Sequence, residues 1–95
     1  MNIDKTPAEM RSLDAVEQIG LLDAIYAEIA SLGKLKQTAL DNLAAARIAV
    51  LNDPTSERKA IVIDTKCQLD KIGVALSTRK EQTKILQTLL RAVPH

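Results

Sequence analysis

Asn52-Asp53-Pro54-Thr55-Ser56 is the stretch that decides how this chain folds. Proline keeps the residue before it out of the helical region. Asp53 can then cap a new helix, with Pro54 at its first position. Upstream, no proline intervenes back to Pro7, and downstream none intervenes before Pro94. The stretch is therefore the one strong break in a chain that otherwise reads as helix.

Outward from it the apolar periodicity is helical on both sides. Leu22, Ile25, Ile29, Leu32, Lys36, Ala39, Leu43, Ala46 and Val50 keep a three-four spacing with one polar member. That is the seam of a packed helix. Val62, Thr65, Leu69, Ile72, Leu76, Arg79, Thr83, Leu86 and Leu90 do the same downstream. The upstream helix has its own start signal in Thr6-Pro7-Ala8-Glu9, where Thr6 caps, Pro7 suits the first turn and Glu9 closes a capping box. The first five residues read as a frayed end. The expected elements are a helix over about 7–52, a turn over about 52–55 and a helix over about 55–92. Each long helix would measure about 60 Å at 1.5 Å per residue.

A short link forces antiparallel neighbours. The expected fold is all-α, one domain over residues 1–95: a long antiparallel helical hairpin that dimerises into a four-helix bundle. The alternative is a three-helix bundle, with Leu32-Gly33-Lys34 as a C-cap that breaks the first helix. Gly20 and Gly33 each weaken a helix interior by about 1 kcal/mol relative to Ala. The seam keeps its register across Gly33, which supports the continuous helix, and small residues also permit close helix approach.

Composition agrees. The 95 residues contain no Phe, no Trp, one Tyr, three Gly and three Pro, with hydrophobic residues at 46%. Leu and Ala favour helix, whereas strands draw on aromatic and β-branched residues. Net charge is +1, so no global field steers the chain toward nucleic acid or membrane. Residues 1–53 hold five basic and eight acidic side chains, net −3; residues 54–95 hold eight and four, net +4. Folding at 53–54 pairs residue i with about residue 108 − i. Glu28 then meets Lys80, Asp23 meets Lys84 and Glu17 meets Arg91. Such surface pairs contribute about 0–1 kcal/mol each and act on register more than on stability.

Enzyme signals are sparse, and the expectation is a non-enzyme with no cofactor and no metal. His95 is the only histidine and reads as a terminal residue without a role. Ser77-Thr78-Arg79-Lys80 matches S-x-x-K, but its companion motifs are missing. Asp14 with Glu17, and Asp64 with Asp70, read as solvated faces, because acid–base work needs a cleft that shifts one pKa. Cys67, the sole cysteine, excludes an intrachain disulfide and a multi-Cys zinc site. Lys66 beside it can lower a thiol pKa, yet a passive small residue is the simpler reading. The absence of an N-terminal apolar segment and of any eighteen-residue apolar run predicts a cytoplasmic protein without a membrane partner.

The apolar faces are wider than a two-stranded seam. Ile19, Tyr26 and Leu40 flank the first seam on one side, Leu21 and Leu35 on the other; Ile61, Ile63, Val74, Ile85 and Leu89 lie off the second. A wide stripe implies further neighbours. The function expected from it is a non-enzymatic interaction module: an adaptor, an assembly or secretion chaperone, or a small inhibitor. It would bind a second copy or a larger protein through Tyr26, Leu35, Leu40, Ile63, Val74 and Ile85. Tyr26 either anchors that partner or flanks the core with its hydroxyl at the rim. The alternative is a dimeric nucleic-acid-binding hairpin using Lys59, Lys66 and Lys80, which share an edge at multiples of seven residues. The missing aromatics count against base stacking. Ser77 to Lys84 is the least apolar stretch of the second helix; there the pairing loosens or a polar partner sits.

Overall fold

Hydrogen bonding at the turn is set by Thr55 rather than by Asp53. In the computed structural model, which describes residues 3–92, the Thr55 hydroxyl accepts from the Arg58 N–H at 3.2 Å. This caps the helix that begins at Ser56, two residues later than an Asp53 cap would start it. Arg58 also reaches back: its Nη1 donates to the Ala49 carbonyl at 2.9 Å and lies 4.0 Å from Asp53. The preceding helix has no basic residue in its own last turn. Arg58 supplies from the next helix the cation that its C-terminal carbonyls favour.

Among the described residues the elements are α1, Pro7–Ser12, α2, Ala15–Asn52, and α3, Ser56–Arg91, with no strand. The fold is all-α, and α2 and α3 pack against each other as a hairpin. The seams hold. Of the expected α2 positions only Lys36 is exposed, and every expected α3 position is buried or half-buried.

The first helix is not continuous, and it breaks at neither Gly20 nor Gly33. Both glycines lie inside α2, so the alternative of a break at Gly33 is excluded. The break falls at Leu13-Asp14, where Leu13 is extended with ψ 147°. Two capping boxes bracket it. Thr6 Oγ1 accepts from the Glu9 N–H while Glu9 Oε1 accepts from the Thr6 N–H, both at 3.2 Å. The second repeats this eight residues on: Asp14 Oδ1 accepts from the Glu17 N–H at 2.8 Å, and the Asp14 N–H donates to Glu17 Oε1 at 3.4 Å. Asp14 and Glu17 are both exposed, as a solvated face requires, and together they also make a helix start. The Thr6 backbone N–H also holds the Glu9 carboxyl below its ordinary range.

The chain divides into two compact units. One comprises residues 1–31 with 77–95, the other residues 32–76. In the first, Met10, Leu21, Ile25 and Leu86 are fully buried, and Ile3, Leu13, Leu22, Ile29, Ile85 and Leu89 pack around them. Leu21, off the seam by spacing, is buried because Met10 of α1 joins its cluster. Burying a side chain of this size stabilises by about 1.5–3 kcal/mol. Gln18 Nε2 ties the α1 backbone down by donating to the Met10 carbonyl at 3.0 Å.

Residues 3–5 are not frayed. Gln82 Nε2 donates to the Ile3 carbonyl at 2.9 Å and to that of Lys5 at 3.5 Å. Arg79 Nη1 bridges Gln82 Oε1 at 2.9 Å and Asp4 Oδ1 at 2.8 Å. The polar stretch of α3 therefore has a polar partner, and it is the chain's own N-terminal segment. In the second unit Leu32, Ala39, Leu43 and Ala46 are buried on α2 and Thr65 on α3. Thr65 satisfies its hydroxyl within its own helix, donating to the Ile61 carbonyl at 2.8 Å.

Candidate functional site

The two units treat their outer apolar residues differently. In the first, Met10 of α1 packs with Leu21 and Ile25 of α2 and Ile85 is half-buried against that core, while Val16 and Ile19 stay exposed. Ile85 also lines a small cleft with Pro7, Arg11 and Leu89. Tyr26 is exposed along its ring, but its hydroxyl accepts from Gln87 Nε2 at 2.8 Å. The expected register had set Tyr26 opposite Gln82. The difference is physical: helical side chains lean toward their own N-terminus. In an antiparallel pair the two leans add, so side-chain tips meet about two residues further along than their Cα atoms, the direction of the shift seen here.

The same lean bears on the expected ion pairs. None of Glu28–Lys80, Asp23–Lys84 and Glu17–Arg91 forms among the described residues. Lys84 pairs instead with Glu81 of its own helix at 3.3 Å.

In the second unit none of the described residues covers the outer apolar side chains. Leu35, Leu40, Ile48, Leu51, Ile61, Ile63 and Val74 are all exposed, Leu51 at 83% and Val74 at 68%. Part of this surface is concave. An open groove of about 480 Å³ runs between α2 and α3, lined by Arg47, Val50, Leu51, Lys59, Val62 and Ile63. Its walls are apolar, with Arg47 and Lys59 contributing their aliphatic stems while their charged heads reach the rim. The structure thus brings Ile63 and Lys59, candidates of two different readings, to one groove. Leu51 and Arg47 were not singled out from the sequence. A signal for them exists: Gly33, Leu40, Ala44, Arg47 and Leu51 repeat at seven, four, three and four residues. That is a second helical stripe beside the seam.

Lys59, Lys66 and Lys80 are exposed, and none has a carboxylate within 4 Å among the described residues. Cys67 is exposed. Asp64 accepts from Gln68 Nε2 at 3.3 Å on its own helix. Ser77 and Lys80 are both exposed on α3. His95 lies outside the described residues. Among those described, no cluster of three or more His, Cys, Asp or Glu side chains is placed to hold a metal ion. No described helix is long and apolar enough to cross a membrane.

Comparison with protein-family models, curated proteins and solved structures finds no match to this chain.

Proposed function

We propose that this chain is a non-enzymatic protein-interaction module of the adaptor, assembly-chaperone or small-inhibitor kind, acting through the helix faces of residues 32–76. The observation that carries the reading is the contrast between the units. The first covers part of its apolar face with α1, burying Leu21 and Ile25 while Val16 and Ile19 stay exposed; the second leaves Leu40, Leu51, Ile63 and Val74 in solvent. Contiguous exposed apolar surface of this kind marks interaction sites. Leu35 completes the set of candidate contacts there; Tyr26 and Ile85 belong to the first unit, where the Tyr26 hydroxyl bonds Gln87 and Ile85 packs against the core. The partner is a second copy, giving a four-helix bundle, or a larger protein.

Solution mass by light scattering across a concentration series separates these two. A dimer means that the open faces close on each other; a monomer leaves them for a different protein. Replacing Leu40 or Ile63 with Lys should weaken the association observed, at unchanged helical circular dichroism. Wild-type association by both variants would contradict the chosen surface.

A second reading, a nucleic-acid-binding hairpin, draws on Lys59, Lys66 and Lys80, whose ammonium groups have no carboxylate within 4 Å among the described residues. A salt-sensitive mobility shift with hairpin RNA would support it.

A further inference from the structure

The groove between α2 and α3 has a charge as well as a shape. Arg47 and Lys59 stand on its opposite walls, one from each helix. Helical spacing continues the same sign along both edges. Lys66 lies seven residues beyond Lys59, and Lys36 eleven residues before Arg47. Separations of seven and eleven residues return to the same side of an α-helix. All four side chains are exposed, and none has a carboxylate within 4 Å among the described residues. The acidic position that spacing brings to this edge is Asp70, one turn past Lys66. An apolar floor therefore runs between two cationic rims.

From this we propose that the groove, with Val50, Leu51, Val62 and Ile63 as its floor, docks an amphipathic helix of another protein whose apolar stripe is flanked by Asp and Glu. The proposal rests on the reading of residues 32–76 as a docking surface and names its partner's chemistry. Three observations select this occupant. The groove is walled by two helices whose backbone groups are hydrogen-bonded internally, so an extended strand has no edge to join; a helix inserts side chains between them. The floor is apolar, which a phosphate backbone cannot use, and no aromatic ring lies in it for a base to stack on. A second copy docked by a two-fold axis would set this patch against itself. Arg47 and Lys59 of both copies would then crowd one rim, and like charges across an interface oppose association.

The test uses the full chain and three labelled probes in fluorescence anisotropy. One is a helical 21-residue peptide with Leu at heptad a and d positions and Glu beside them; the second has Lys in place of each Glu; the third is a hairpin RNA. The expected result is saturable one-to-one binding of the Glu peptide. Binding should weaken at least tenfold in the double variant Arg47→Glu/Lys59→Glu, whose substitutions lie on exposed positions, and that variant should gain affinity for the Lys peptide. Circular dichroism confirms that it remains helical. Equal or tighter binding of the Lys peptide to the wild type overturns the acidic partner and leaves the docking surface standing. Failure of both peptides, with or without RNA binding, overturns the docking surface itself. A homodimer that Leu51→Glu dissociates overturns the proposal in favour of a second copy.

Discussion

Gln82 is buried on α3, yet its side chain serves the N-terminal segment rather than α3 itself. It donates to two backbone carbonyls, those of Ile3 and Lys5, and accepts from Arg79, which in turn holds Asp4. These carbonyls are half-buried, and that of Ile3 also accepts from the Lys5 N–H at 3.0 Å; a bond of this kind contributes about 0.5–1.5 kcal/mol net. Gln82→Leu keeps roughly the volume and removes the donor. It should destabilise the chain by about 0.5–1.5 kcal/mol in urea unfolding, and amide exchange should rise at residues 3–6 while α3 remains protected. Unchanged exchange there would show that the segment is held by Ile3 packing alone. Nothing in the sequence pointed to this bond. Backbone carbonyls carry no residue signature, and Arg79 and Gln82 interrupt an apolar seam, which reads as looseness until the partner is known.

At the scale of the element, the three-four spacing marked both seams residue by residue, because burial on a helix follows its 3.6-residue period whatever the neighbour. The division of the first helix was less legible. An apolar pattern passes through Leu13 without interruption, and no proline or glycine marks the break. The mark is Asp14-Ala15-Val16-Glu17, a capping box that resembles an ordinary pair of surface acids unless the backbone N–H groups are counted. Gly33 was a false mark. It lies in the interior of α2, and a Cβ placed there meets no atom within 4 Å. Close helix approach therefore does not explain it, and the structure offers no other reason for it. Gly33→Ala should stabilise the chain by about 0.5–1 kcal/mol, since alanine loses less backbone freedom and meets no clash. A rise in the urea midpoint at constant slope is the expected reading; a fall would show that Gly33 is needed where it stands.

At the scale of the whole molecule, the near-zero net charge conceals the feature that matters. The chain is net −3 over residues 1–53 and net +4 over residues 54–95. This looked like a device for holding two helices in register. The ion pairs that form are different ones: Arg58 with Asp53, Arg79 with Asp4 and Lys84 with Glu81. Lys59, Lys66 and Lys80 are left facing solvent, and Lys59 stands over an apolar groove. The width of the apolar faces was legible in the sequence. Which part of that width the chain covers for itself was not, because α1 had been read as the first turns of a longer helix.

The account stands on that difference in cover, and hydroxyl-radical footprinting of the free protein at low micromolar concentration tests it most directly. Methionine sulfur is among the most readily oxidised groups unless it is buried. The account predicts that Met10 reacts far more slowly than free methionine, that Leu21 and Leu86 are protected, and that Leu40, Leu51 and Ile63 are modified readily. Met10 oxidised at the rate of the free amino acid would show that α1 does not cover the first unit. Protection of Leu51 and Ile63 in the free protein would show that the groove is already occupied, and would contradict an open docking surface.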